Sequence, residues 1–148
     1  MKNFAFERVG SILVGVNNRQ SPRADEWALY VQACRDLDRE LNGDFSRAAA
    51  LIFTDGGGPN SDQRRAMVEV LNGRPAATAI VTGSTLLRGS LAILGVFNPA
   101  IKVFAPSDWR AGATLAKIPE AQHMDFLRRA LKLAREVGEL EVLRSIGL

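Results

Sequence analysis

The chain has 148 residues, of which 47% are hydrophobic and 24% are charged, a composition typical of one globular domain with a substantial core. The 19 basic and 16 acidic residues leave a formal net charge of only +3, so the charge balance gives little support for nucleic-acid binding. The single cysteine, Cys34, excludes an internal disulfide. It falls on the apolar stripe of a predicted helix, which predicts a buried structural thiol.

Signals for membranes and export are missing from the sequence. There is no run of about 18 apolar residues of the kind that crosses a bilayer. Residues 1–4 carry no apolar stretch of the kind found in a secretion signal. We therefore expect a cytoplasmic protein without a membrane span.

Two strands and a well-marked helix are predicted first. Residues 4–8 and 11–16 have the composition of an antiparallel hairpin at the edge of a sheet. Ser21 and Pro22 then predict the N-cap and first position of a helix, because a serine hydroxyl caps free amides and proline is tolerated in the first turn. Apolar residues recur at helical spacing until Asn42-Gly43, where the helix is predicted to end.

Alternating strands and helices follow, bounded by Gly, Asn or Pro. The predicted strands are residues 48–53, 77–82 and 101–105, and the predicted helices cover about 62–71, 85–94, 107–118 and 120–137, with a further turn or two at 139–146. The order ββαβαβαβα predicts an α/β fold with a mostly parallel mixed sheet of about five strands and helices packed on it. Residues 1–118 form the predicted domain. Residues 119–148 form a helical extension that packs on the same domain or on the partner of a homodimer.

The most distinctive segment is the glycine turn, residues 54–61, which joins the strand 48–53 to the next helix. Three consecutive glycines leave the turn without Cβ atoms, so it can take positive φ values and approach another group closely. Its residues with candidate roles are Asp55, Gly56, Gly57, Gly58, Asn60 and Ser61, followed on the helix by Gln63, Arg64 and Arg65.

Three interpretations of the glycine turn remain open from the residues alone. It can be a tight corner, in which Asn60 or Ser61 caps the helix and Asn60 pairs with Gln63 as in a capping box. Its amides can form an anion pocket with charge from Arg64, Arg65 and Arg88, although no Lys-Ser/Thr follows the glycines as in a nucleotide-binding P-loop. It can also be a flat contact surface for another protein.

The chain resembles the STAS-like group of domains, the SpoIIAA-like or STAS/SEC14 type related to anti-sigma-factor antagonists. The resemblance rests on the order of elements over residues 1–118, on a strand that ends at Asp55, and on short segments. These segments are Asp55-Gly56-Gly57-Gly58-Pro59-Asn60 with Gln63-Arg64, Leu87-Arg88-Gly89, and Phe97-Asn98-Pro99 with Val103-Phe104. It implies a regulatory module whose loop 55–61 and following helix bind a protein such as a regulatory kinase or anti-sigma-type factor.

One family feature is absent. In anti-sigma-factor antagonists the aspartate matched by Asp55 is followed by a serine or threonine that the partner phosphorylates, but Gly56 and Gly57 stand there. Ser61 is the first hydroxyl residue after Asp55, which makes it the candidate phosphorylation site or a helix cap. Arg88 is either a solvent-facing residue or reaches from its own βα unit toward Asp55 or an anion at the glycine turn.

No catalytic arrangement is evident in the sequence. His123, the single histidine, is predicted at the surface of a late helix, without a nucleophile motif nearby. Clusters of metal ligands are missing, so we expect no metal and no cofactor. Trp109 is either a core residue or an exposed anchor. The aromatic residues as a group predict a solid core in preference to a lipid-sized cavity; they are Trp27, Tyr30, Phe53, Phe97, Phe104, Trp109 and Phe126.

The sequence therefore predicts a non-enzymatic, STAS-like regulatory or scaffolding module that binds a protein partner through loop 55–61 and the following helix. The alternative is a binding domain for a small anionic or nucleotide-like ligand at the same loop.

Overall fold

A computed structural model describes residues 1–85 and 100–147 of the protein. Its strands are β1 (Phe4–Val9), β2 (Ile12–Asn17), β3 (Ala49–Thr54), β4 (Ala77–Val81) and β5 (Ile101–Phe104). Its α-helices are α1 (Ala24–Glu40), α2 (Ser61–Leu71), α3 (Trp109–Leu115), α4 (His123–Val137) and α5 (Glu141–Arg144), with short 3-10 turns at Phe45–Arg47, Pro106–Asp108 and Glu120–Gln122.

The five strands form one mixed sheet in the order β1-β2-β3-β4-β5. β1 pairs with β2 in the antiparallel direction, and every later pair is parallel. The predicted α/β fold with a mostly parallel five-stranded sheet is confirmed. The helix predicted over residues 85–94 lies almost wholly outside the described residues, as do Arg88 and Phe97.

Helices cover both faces of the sheet. On one face, α1 and α2 bury a cluster that includes Phe4, Leu13, Trp27, Tyr30, Leu37 and Leu71. On the other face, α3, α4 and α5 bury a larger cluster that includes Val14, Leu51, Phe53, Val81, Trp109, Phe126 and Leu127. The strand residues alternate between the two clusters, as the period of two along a strand requires.

The helices of the two layers contact different strands. α4 packs closely against β1 and β2, and α3 against β4 and β5. The approach of α3 is close because Gly112 has no side chain: a Cβ atom there would lie 3.2 Å from the Phe104 ring. By contrast, α1 lies near β1 and α2. Within the described residues, a cavity lies on the face under α1 and α2.

The start of α1 differs from the prediction. The N-cap is Arg23, and Ser21 is exposed outside the helix. The reason is Glu26, which is 7% exposed and accepts hydrogen bonds from the backbone amides of Arg23, at 2.8 Å, and of Asn3 and Phe4, at 3.1 and 3.2 Å. This carboxylate fixes the first turn of α1 to β1, so the helix begins two residues later than the Ser-Pro pair indicates.

The prediction of a surface histidine is wrong. His123 is 3% exposed, lies beside the Trp109 ring and places Nε2 3.0 Å from the carbonyl oxygen of Ile118, to which it donates. Helix α4 begins only at His123, after the 3-10 turn. The change from 3-10 to α-helical geometry at this point directs the His123 ring inward. Trp109 is also buried, at 6% exposure, which excludes it as an exposed anchor. Within residues 1–85 and 100–147, no helix has the length and apolarity to cross a bilayer.

Candidate ligand site at the glycine turn

The glycine turn leaves the end of β3 and is held from within by Thr54. The Thr54 side chain is 2% exposed; its hydroxyl donates to the carbonyl of Gly57 at 2.7 Å and accepts from the amide of Gly56 at 3.1 Å. Gly56 has φ +129°, a conformation that L side chains rarely adopt, so the chain needs glycine at this corner. Internal hydrogen bonds therefore fix the conformation of the turn.

The loop after β2 supports the turn from one side. The amide of Asp55 donates to the carbonyl of Asn17 at 3.1 Å, and the amide of Gly57 donates to the carbonyl of Asn18 at 2.9 Å. The Asn17 side chain, 3% exposed, in turn donates to the carbonyl of Gln20 at 2.7 Å. The sequence analysis missed this loop. The signal was available, because β2 and β3 are parallel neighbours and the loops that follow such strands meet at one edge of the sheet.

Gly57 and Gly58 have opposite surroundings. A Cβ atom on Gly57 would lie 2.2 Å from the carbonyl oxygen of Gln20 and 2.5 Å from that of Asn18, both backbone atoms. A Cβ atom on Gly58 would meet nothing within 4 Å. Gly57 is thus required for packing inside the protein, and Gly58 is the open position of the turn.

Helix α2 starts with the capping box that the sequence predicts. The Asn60 side chain accepts from the amide of Gln63, and the Gln63 side chain accepts from the amide of Asn60, both at 2.9 Å. Gln63 is only 8% exposed, and its Nε2 donates to the carbonyl of Pro22 at 2.6 Å. Its backbone carbonyl accepts from the Trp27 indole at 2.9 Å. Gln63 therefore joins α2 to the start of α1 and is turned away from any surface ligand.

Asp55 is engaged by a distant part of the chain. Its two carboxylate oxygens accept hydrogen bonds from the amides of Glu141 and Val142, each at 2.9 Å. These amides belong to the first turn of α5, where free N–H groups favour a negative charge. Asp55 is an anion bound at the N-terminus of α5.

Removal of the Asp55 carboxylate is expected to loosen α5. We expect Asp55→Ala to lower the free energy of unfolding by about 1–2 kcal/mol, because two charge-assisted hydrogen bonds at a helix start are lost. Hydrogen exchange at the amides of Glu141 and Val142 should accelerate. Asp62→Ala is the matched control, since that aspartate is exposed and, among the described residues, pairs only with Arg65 on its own helix. Unchanged exchange at both amides would contradict this role.

Arg64 lies over the turn and differs from the other half-buried arginines. Its guanidinium donates to the carbonyl of Pro59 at 2.9 Å and to the Ser61 hydroxyl at 3.3 Å. Among the described residues it has no acidic partner, whereas Arg74 pairs with Asp38 and Arg129 pairs with Glu7 and Asp125. A half-buried cation without a carboxylate keeps its charge available for an anion.

Backbone donors lie beside this cation. In the part of the chain that the structure describes, the amides of Gly58, Ser61 and Asp62 donate to no protein acceptor. Ser61 is exposed at the first position of α2, and Asn60 takes the capping role. The free amides and the start of the helix dipole add to the positive potential at the turn.

A cavity of about 550 Å³ extends from the glycine turn between the sheet and helices α1 and α2. At the turn it is lined by Gly56–Pro59, Arg19 and Arg64, and further in by apolar residues that include Phe4, Leu13, Trp27, Leu37, Phe45, Ala50, Ile52 and Leu71. Of the aromatic residues predicted to form a solid core, Phe53, Trp109 and Phe126 are buried in the core on the α3–α4 side, whereas Trp27 and Tyr30 line this cavity. Small side chains such as Ala48 and Ala50 leave space that the aromatic residues do not fill.

Two ionisable side chains line this cavity away from the turn. Burial raises the pKa of the Cys34 thiol to about 12, so this thiol is protonated and unreactive at neutral pH. Burial also raises the pKa of Tyr30 well above its ordinary value. The Tyr30 hydroxyl has no hydrogen-bond partner among residues 1–85 and 100–147. The predicted buried thiol is confirmed, and neither group is placed for nucleophilic chemistry.

The predicted site residues thus separate into two groups. Gly58 and Arg64 line the mouth of the cavity, together with Arg19, which the sequence analysis did not select, and Ser61 lies beside the mouth, exposed and bonded to Arg64. The others have internal roles: Gly56 and Gly57 form the corner, Asn60 and Gln63 cap α2, and Asp55 holds α5. Arg88 lies outside the described residues. No group of three or more His, Cys, Asp or Glu side chains that could hold a metal occurs in the described ranges.

Comparison of the chain with protein-family models, with curated proteins and with solved structures finds no significant match.

Proposed function

We propose that the chain is a non-enzymatic binding module that takes a small anionic molecule at the glycine turn. The observation that carries this proposal is the half-buried guanidinium of Arg64, which lines a cavity and lacks an acidic partner within the described residues. An arginine presents five N–H donors, and two of those on Arg64 are already used to fix its position. The remaining donors suit a carboxylate or phosphate group.

The surroundings of Arg64 favour the same ligand charge. Arg19 is a second cation at the mouth, and the amides of Gly58, Ser61 and Asp62 donate to no acceptor within the described residues. Both halves of the mouth are preorganised by Thr54, Asn17 and the capping box. A rigid set of donors binds an anion with little loss of conformational entropy.

A protein partner at the same surface is the second candidate function. It is favoured by the outer side of the turn, where Gly58 carries no side chain and Asn60, Ser61 and Asp62 are exposed. The STAS-like resemblance adds a regulatory kinase or anti-sigma-type factor as the proposed class of partner, with Ser61 as the proposed phosphorylation site.

Thermal unfolding with inorganic phosphate and with nucleotides tests the first function. A ligand that binds the folded state raises the melting temperature by mass action, and a concentration of 100 times Kd corresponds to about 2.7 kcal/mol. We expect Arg64→Ala to abolish this shift. Arg65→Ala is the matched control, because Arg65 is exposed on the same helix, pairs with Asp62 and does not line the cavity.

Equal shifts in the wild type and in Arg64→Ala would contradict anion binding at this site. A protein partner that is lost in a folded Asp62→Trp variant, while the shift with phosphate persists, would support the second function instead. Asp62 is suited to this comparison because its side chain is exposed, does not line the cavity and does not bond to Arg64 within the described residues.

A further inference from the structure

The cavity beyond the mouth is deeper than a small inorganic anion needs. It follows β3 from Ala48 and Ala49 at one end to Thr54 and Gly56 at the other. Six residues of a strand extend over about 20 Å. Its volume of about 550 Å³ lies in the range of sites that hold an organic ligand of some 300–1,000 Å³.

The register of the sheet explains this depth. Leu13, Ala50 and Thr78 lie side by side on β2, β3 and β4, facing α1 and α2. The sheet forms the floor of the cavity. Because Ala50 and Thr78 have small side chains, the cavity is deepest above the middle of the sheet. Leu37 and Leu71 wall the cavity from the two helices. An apolar void of this size weakens the packing of the layer unless it is occupied.

Charge is confined to one end of the cavity. The charged side chains among its described lining residues are Arg19 and Arg64, both at the glycine turn, and no carboxylate is among them. Toward the other end the lining is mostly apolar and includes Leu37, Phe45, Ala48 and Leu71. Tyr30, more than nine-tenths buried, adds to the lining one hydroxyl that has no hydrogen-bond partner in residues 1–85 and 100–147.

We propose that the site binds an amphipathic monoanion, with its acidic head group at Arg64 and a single apolar chain lying along β3. This inference rests on the proposed anion-binding function and adds the class of ligand. The described lining residues include no carboxylate, which disfavours a cationic amphiphile, and the half-exposed cation at the mouth disfavours a neutral one. The apolar chain fills the space that the small residues of the floor leave open.

Titration with straight-chain carboxylates of 4, 8 and 12 carbons, below their micellar concentrations, tests the proposal. We expect the affinity to rise by up to about fourfold for each methylene added, because each one transfers apolar surface from water into the cavity. Binding is followed by the change in tryptophan fluorescence. Trp27 lines the cavity and Trp109 lies in the opposite layer, so this change should disappear in Trp27→Phe and persist in Trp109→Phe.

Two substitutions fill the cavity at different places. Ala50→Leu places a larger side chain in the cavity from strand β3, and Met67→Trp does so from a half-buried position on α2. If one variant does not fold, the other remains informative. Each is expected to weaken dodecanoate binding at least tenfold and to leave butanoate binding within about twofold. Ala111→Leu is the matched control, because Ala111 is exposed on α3 and does not line the cavity.

The possible failures are distinguishable. An affinity independent of chain length, or wild-type dodecanoate binding in both folded filling variants, would overturn the amphiphile and leave phosphate binding at Arg64 standing. Equal binding of dodecanol and dodecanoate, unchanged by Arg64→Ala, would overturn the proposed anion function and with it the assigned head group. A rise with chain length that also depends on Arg64 supports both proposals.

Discussion

Gly57→Ala is expected to lower the free energy of unfolding by about 3 kcal/mol, because the added methyl group would overlap two backbone carbonyls that cannot rotate away. A Cβ atom there would lie 2.2 Å from the oxygen of Gln20 and 2.5 Å from that of Asn18. Relief requires the loop after β2 to move, which breaks the hydrogen bonds that Asn17 makes. Urea unfolding at equilibrium measures the loss.

Gly58→Ala is the matched control for this prediction. It adds the same methyl group one residue later, where the nearest described atom is more than 4 Å away and φ is not positive. We expect its free energy of unfolding to stay within about 0.5 kcal/mol of the wild type. If both variants lost the same free energy of unfolding, the loss would come from the reduced flexibility of the backbone and not from the close contact at Gly57.

Gln63→Ala is expected to lower the free energy of unfolding by about 2–4 kcal/mol, although substitution of a glutamine at the start of a helix is ordinarily tolerated. The substitution removes one partner of the capping box and leaves the carbonyl of Pro22 without its donor in a buried place. The loss should appear as a lower urea midpoint with an unchanged slope, because the folded state keeps its compactness.

Gln32→Ala provides the comparison for Gln63. Gln32 is exposed on α1 and donates only to Asp36, four residues further on. We expect Gln32→Ala to lower the free energy of unfolding by about 0.5 kcal/mol or less. If Gln63→Ala were as mild as Gln32→Ala, the link between α2 and Pro22 would contribute nothing, and Gln63 would again be a candidate for ligand contact.

The fold follows from local signals that agree with the global arrangement. Alternation in residues 4–17, the apolar run of β3 and the Asn72-Gly73 stop each predict their elements within one or two residues of the observed bounds. The start of α1 was wrong because it depends on Glu26 bonding to β1, a contact across 22 and 23 residues. His123 was wrong because a 3-10 turn changes the winding that a regular helical pattern assumes.

The candidate site was predicted in place but not in detail. The glycine turn is visible as sequence, and so is the charge of Arg64. What each residue does there depends on partners far along the chain: Asn18 for Gly57, Pro22 for Gln63, and α5 for Asp55. The cavity arises from small residues on neighbouring strands, and a single apolar run such as that of β3 does not reveal which of its residues will face empty space.

The packing of α4 has a consequence for the order in which the protein forms. β1 and β2 are synthesised before α4, yet the helix that covers one of their faces consists of residues 123–137. Until that helix leaves the ribosome, Val14 and Val16 have no cover from α4, and a sheet with such a bare face is open to contact with other chains. The Lys2 amide also bonds to the carbonyl of Glu136, so closing the structure is a late, long-range step. Chains that stall before α4 are the species that a chaperone would need to shield.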